Sequence, residues 1–238
     1  MATAEVTAAI AIVSEPTVVF PATVLPKDWT VAKLQEHLGG IPLERIRLYP
    51  PPGMATEQDV LQLDDHRDLL CELIDGILVE KPMGWFESRI AAVLIYFLEV
   101  YLSDHDIGIT ITPDGPIRLM AGQVRMPDVS FIRHEVVPPD ETDAPRILPV
   151  APDLAVEILS KSNTRAEMER KRAEYFRAGV KLVWMIHPKE HTATVYTSPD
   201  VFSAIPTDGA LTGGDVLPGF ELSLVEFFAR VNRKRQSS

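Results

Sequence analysis

The chain carries a single cysteine, Cys71, among 238 residues, which excludes an internal disulfide framework and a Cys-rich zinc site. A lone thiol fits a reducing cytoplasm, and that location is expected. No run of about 18 apolar residues occurs, so no membrane span is expected. Neither G-x-x-x-x-G-K-[ST] nor G-x-G-x-x-G is present, which argues against a nucleotide cofactor. No G-x-S-x-G elbow surrounds any serine, and no histidine has an evident orienting acid. The six histidines lack ligand spacing, and His187 and His191 are split by Pro188, so that pair reads as a turn. Positive charge is also scarce. Lys and Arg total 23 against 34 Asp and Glu, a net charge of −11, which excludes coating of nucleic acid by bulk charge. No Lys or Arg precedes Lys27, so the Ala/Val/Ile-rich start lacks the basic region of a secretory leader and reads as a flexible arm.

What is present resembles an ordinary globular protein of one or two domains, 46% hydrophobic and 24% charged. The expected division is a flexible arm over 1–28, a short helical extension over 29–68, a main domain over 69–231 and a basic tail over 232–238. Val31, Leu34 and Leu38 fall at helical spacing, and Gly39-Gly40 ends that pattern. Residues 42–48 suggest another short helical turn. Glu72 to Glu80 reads as two strands around an Asp75-Gly76 turn. Gly84 to Leu102 is the longest helical pattern, with an apolar stripe wide enough to cover a sheet. Strands are expected at 107–112, as one piece over 124–132, at 153–159 and at 180–187. Thr164 to Glu167 is a capping box that opens a helix to Ala178, with Gly179 as its stop. Two or three further strands and a short helix over 223–231 complete an α/β fold with a mixed sheet.

Glu157 is the most informative residue, because it interrupts the apolar run Leu154 to Leu159. In a central strand its carboxylate would be costly unless paired with a cation or metal; at a strand end it would simply reach solvent. Asp128 follows Pro127 inside a strand-like stretch, where a proline implies an edge or a bulge. Taken alone it could be a turn residue. On neighbouring strands about 4.8 Å apart the two acids would repel unless a divalent cation joined them. Oxygen ligands suit Mg²⁺ or Mn²⁺. Lys171 lies on the helix after the Glu157 strand, with Tyr175 at i+4 on the same face. Lys171 could return to the carboxylates, although by residue type alone a solvated basic face is the commoner reading. Arg165, Arg170 and Arg172 make that helix a plausible phosphate-contacting surface. Ser160 could bond the carboxylate or cap the coming helix.

At these residues the chain resembles the Uma-type restriction endonuclease family of the PD-(D/E)XK nuclease superfamily. The resemblance runs from about Glu72 to Phe228. It rests on Glu72-Leu-Ile-Asp-Gly76, Arg125-Met-Pro-Asp-Val-Ser-Phe131, Pro152-Asp-Leu-Ala-Val-Glu-Ile-Leu-Ser160, Lys171 with Tyr175, and Leu217-Pro-Gly-Phe220. It implies a restriction-endonuclease-like core that hydrolyses DNA. It further implies Asp128, Glu157 and the Ile158 carbonyl as ligands of Mg²⁺ or Mn²⁺, and Lys171 as the catalytic lysine. Leu159 stands where the wider superfamily has lysine. The resemblance also implies that Glu72 could contribute a further acid near the site. Glu87 stands where many relatives carry histidine; it could join the metal cluster or merely favour the helix start. A homodimer is also expected. The alternatives are a non-catalytic nuclease-fold module that binds DNA or a protein partner, and a hydrolase of another phosphoester.

Overall fold

The computed structural model describes residues 25–26, 28–65, 69–82, 84–137 and 145–233. Most of the expected arm (1–24) and tail (234–238) lies outside the described residues.

Two helices precede the first strand. Helix α1 (Val31–His37) is capped by the Thr30 hydroxyl, and α2 (Glu57–Asp65) follows a single 3₁₀ turn at Leu43–Arg45. Helix α2 was not anticipated; its residues are mostly polar, with Val60 alone buried. Strands β1 (Cys71–Ile74) and β2 (Ile77–Glu80) form the hairpin expected from Asp75-Gly76. Both turn residues take positive φ, 51° and 74°, the backbone that a tight hairpin demands. Helix α3 (Trp85–Asp104) buries Ile90, Ala91, Leu94, Leu98 and Leu102 along one stripe.

Next come β3 (Gly108–Ile111), β4 (Ile117–Met120), β5 (Gln123–Arg125) and β6 (Val129–Arg133). The single strand expected over 124–132 is therefore two strands in different sheets. Strand β5 belongs to an antiparallel sheet of order β2-β1-β5-β4, whereas β6 belongs to the main sheet. Pro127 lies at the break. It has no N–H to give to a ladder, so pairing lapses at Met126-Pro127 and the chain changes sheets. Pairing resumes where the Asp128 amide donates to the Val156 carbonyl at 2.9 Å.

The rest of the chain supplies β7 (Leu154–Ile158), α4 (Arg165–Ala178), β8 (Leu182–His187), β9 (Thr192–Tyr196) and β10 (Phe202–Ile205). It ends with β11 (Ala210–Thr212), β12 (Glu221–Ser223) and α5 (Leu224–Val231). The main sheet has the order β10-β9-β8-β7-β6-β3, with β7 and β8 parallel and the other pairs antiparallel. Strand β7 is thus central, and all five of its residues are buried. Alternation divides its side chains: Leu154, Val156 and Ile158 enter the core beneath α3 and α5, while Ala155 packs with Tyr175 of α4 on the other face. Helix α4 keeps both ends predicted for it. Thr164 and Glu167 form the reciprocal capping box, and Gly179 closes the helix at φ 102°.

The segment before β1 packs on the hairpin: Leu34, Leu38, Ile41 and Ile46 cluster with Ile74, Ile77 and Val79. It also reaches α4. Arg45 makes a bidentate pair with Glu167, at 2.8 and 3.1 Å, and the Thr164 hydroxyl donates to the Gly39 carbonyl.

Candidate active site

Glu157 projects from the α4 face of the central strand, and Lys171 and Tyr175, one helical turn apart, project from α4 toward it. Lys171 Nζ lies 3.2 Å from both Glu157 carboxylate oxygens, and the Tyr175 hydroxyl donates to Oε1. Lys171 is only 3% exposed and so is not part of a solvated face. The buried stripe of α4 is Glu167, Met168, Lys171, Glu174 and Tyr175, a helical face built mostly of polar groups.

Asp128 sits at the start of β6, antiparallel to β7, so strand pairing brings the two acids to adjacent positions. Its Oδ2 accepts from the Ile158 amide at 2.7 Å. Its Oδ1 lies 2.9 Å from Lys81 Nζ. Lys81 was not among the sequence-derived candidates. It follows β2, is buried, and donates also to the carbonyls of Met126 and Pro113. Nothing in its sequence surroundings marks it, because its partners come from the sheet crossover and the loop before β4.

Glu72, on β1 of the smaller sheet, faces the same cluster. Its carboxylate meets Lys171 at 3.1 Å and Arg125 at 2.8 Å. Arg125 also holds Glu174, which pairs with Arg170, which in turn pairs with Asp75 beside His37. Ion pairs of alternating sign therefore run from Asp75 to Glu157. Arg170 is committed to that chain, with a further bond to the His37 carbonyl. Arg165 is exposed and pairs with Glu169, while Arg172 lies over the Tyr196 ring. The Ser160 amide and hydroxyl both bond the Asn163 side chain, shaping the turn into α4.

Charge in this cluster is unevenly compensated. Burial works to raise the Glu72 carboxyl, but Lys171, Arg125 and Lys81 overcome it and hold the group well below the usual range. Glu157 moves the other way. Burial raises its pKa, Lys171 opposes, and the Asp128 charge adds to the rise. Burial works to lower the Lys171 ammonium, yet Glu157 and Glu72 prevail and push it up, so it stays charged at neutral pH.

Asp128, Glu157, Ile158 and Lys171 border a small cavity of about 20 Å³, together with Lys81, Arg45, Glu87, Ser160 and Asn163. That space suits a single water or ion. Among the described residues no group of three or more His, Cys, Asp or Glu side chains is arranged to hold a metal ion. The donors at the cavity are nevertheless all oxygen, and two carboxylates are enough for a Mg²⁺ that retains waters. The two carboxylates and the Ile158 carbonyl offer only hard oxygen ligands, so the residues present fit a divalent cation. Two larger grooves adjoin the cavity. One, of about 420 Å³, includes Phe86, Glu87, Ser160, Lys161 and Lys189. The other, of about 590 Å³, includes Ser160, Asn163, Arg165, Arg172 and Tyr196.

A family model described as "Uma2: Putative restriction endonuclease" matches residues 57–225, well over half of the chain. No curated protein matches. A crystal structure described as a putative nuclease belonging to DUF820, from Anabaena variabilis, is similar in fold with a TM-score of 0.62. That protein is 21% identical, and the similarity covers 71% of this chain and 98% of that one. Among the described residues no helix is long and apolar enough to cross a membrane.

Proposed function

The chain belongs to the Uma2 family, and from that premise we propose that it is a metal-dependent endonuclease that hydrolyses DNA phosphodiester bonds. The observation that carries the reading is the convergence of Asp128, Glu157 and Lys171, from three separate segments, on one cavity between two grooves.

Asp128 and Glu157, with the Ile158 carbonyl, would hold Mg²⁺ or Mn²⁺. When bound, such an ion lowers the pKa of its water and offsets charge on a phosphoryl oxygen. The remaining work falls to the chain. The Ile158 amide and Lys81 fix both oxygens of Asp128, and Tyr175 with Lys171 fixes those of Glu157. Both carboxylates are thereby pre-positioned at little reorganisation cost. Lys171 stays protonated, so its part is that of a donor. It orients the attacking water and meets charge that builds on the phosphate, and it does not take the proton. Water oxygen bonds to phosphorus as the ester P–O bond breaks, leaving a phosphate monoester and an alcohol.

The test is cleavage of plasmid and oligonucleotide DNA with Mg²⁺ or Mn²⁺. Loss of cleavage in Asp128→Ala, Glu157→Ala and Lys171→Ala is expected; unchanged rates in all three would overturn the assignment. A second reading, a non-catalytic nuclease-fold module, is favoured by one observation: Lys81 already places an ammonium on Asp128. Titration calorimetry separates the two, because the module predicts no Mg²⁺ binding dependent on Asp128 and Glu157.

A further inference from the structure

We propose that the 590 Å³ groove beside the carboxylate cavity is a subsite for an unpaired nucleotide of the DNA strand, with Tyr196 and Phe202 stacking on the base and Arg172 meeting its phosphate. The proposal rests on the nuclease reading and specifies a substrate class for it.

The groove arises because α4 covers only part of its sheet face. Ala193 and Val195 of β9 enter the core under α3 and α5, so by alternation Tyr196 projects to the α4 face. Strand β10 is the edge of the sheet, and Phe202 is paired in register with Tyr196. Their ring centroids lie 5.5 Å apart, tilted by 41°, and Phe202 remains 59% exposed. A large aromatic exposed on an edge strand beside a second ring is a ready stacking platform. The wall is α4, where Arg165, Met168 and Arg172 follow one another at i, i+3 and i+7.

Arg172 supplies the charge. Its guanidinium carbon lies 4.6 Å from the Tyr196 ring centroid, and its Nε is buried with no hydrogen-bond partner among the described residues. A guanidinium that packs over a ring and lines the groove can bond a phosphate through its terminal nitrogens while the neighbouring base stacks. The volume lies within the range of sites for small organic ligands. Ser160 and Asn163 line both this groove and the carboxylate cavity, so a strand with one phosphate at the acids continues directly into it. In a paired duplex the base faces are covered by stacking, so this platform selects an unstacked nucleotide.

The test measures binding of the full-length chain to fluorescein-labelled DNA by anisotropy, with Ca²⁺ in place of Mg²⁺ so that a cation can sit at the acids while cleavage is suppressed. A blunt duplex is compared with the same duplex bearing a short single-stranded extension. The extended DNA is expected to bind about tenfold tighter. Phe202→Ser, at an exposed position, and Tyr196→Leu, which keeps an apolar side chain, should abolish that preference and leave blunt-duplex affinity unchanged. Equal affinity of the unaltered chain for both DNAs would overturn the proposal, as would variants that weaken both alike. So would a change of oligomeric state in Phe202→Ser by sedimentation, which would make the groove an interface between copies. Cleavage dependent on Asp128, measured separately with Mg²⁺, judges the nuclease reading. Cleavage without preference keeps that reading and removes the subsite, whereas preference without cleavage does the reverse.

Discussion

Lys171 Nζ stands 3.2 Å from each carboxylate oxygen of Glu157, a symmetric clasp between α4 and the central strand. The same ammonium lies 3.1 Å from Glu72 on the smaller sheet. One buried cation thus ties together two sheets and a helix. It can do so because both carboxylates point away from the apolar core under α3, into the seam where the sheets meet α4. Burial of so many charges is tolerable only because each is paired.

Replacing Lys171 with Met should lower single-turnover cleavage about 10²–10⁴-fold. It should also cost about 3–5 kcal/mol of stability, since Glu72 and Glu157 lose a shared counter-ion. Lys171→Arg returns the charge but not the shape, because a planar fork cannot reproduce a point donor between two carboxylates. We expect it to recover stability more than rate. Full recovery of cleavage in the arginine variant would show that only charge matters. Rates and urea denaturation curves, measured together, decide between these outcomes.

The raised pKa of Glu157 carries a pH signature. Between its ordinary value in the unfolded chain, near 4.5, and its higher folded value, the native state holds the Glu157 proton more tightly than the unfolded state. By linkage, this group makes stability fall as pH rises through that window. Glu157→Gln removes the contribution. The stability of the variant relative to the unaltered chain should therefore improve as pH rises above about 4.5, as measured by denaturation at a series of pH values. A difference that stays flat, or that shrinks with rising pH, would contradict the charge balance described for the cluster.

Lys81 competes for the acid that the metal needs. Its ammonium lies 2.9 Å from Asp128 Oδ1, so a divalent cation at that oxygen meets a fixed positive neighbour. At the effective dielectric of a partly buried site, this repulsion amounts to a few kcal/mol at about 5 Å. Lys81→Met should accordingly raise Mn²⁺ affinity by about tenfold or more in titration calorimetry. The cleavage rate at saturating metal should nevertheless fall, because Asp128 loses an anchor. Unchanged or weaker binding would mean that Lys81 serves chiefly to preserve the shape of Asp128.

The sequence was legible wherever a local rule dominated. The Asp75-Gly76 hairpin and the Thr164 to Gly179 helix match their signals. Glu157 was legible because an acid inside an apolar strand needs an explanation. The break after Arg125 was harder, since Val124 to Ile132 alternates like one strand and only Pro127 hints that it serves two sheets. Lys81, Arg125 and Glu174 were not legible as parts of the cluster at all. Their roles depend on the seam between sheets, and charged residues are usually read as solvated. The same bias made the inward face of α4 resemble a surface.

The segment before β1 offers a final prediction. Arg45 is 6% exposed, lines the carboxylate cavity and grips Glu167 at the start of α4. Arg45→Met leaves Glu167 without its buried partner and should cost about 3–5 kcal/mol. Gly39 makes the neighbouring contact. Its φ is +84°, and an added Cβ would lie 2.6 Å from the Glu167 amide nitrogen, against a backbone that cannot rotate away. Gly39→Ala should cost about 1–3 kcal/mol through that strain and clash. Because both residues hold the same segment against the same turn of α4, the effects should not add. Once either contact is lost, the segment lifts and the other contributes less. Urea denaturation of the two single variants and the double variant measures this directly, and strict additivity would mean that the two contacts act independently. In Arg45→Met, Mn²⁺ affinity should also shift, since the residue borders the space between Asp128 and Glu157.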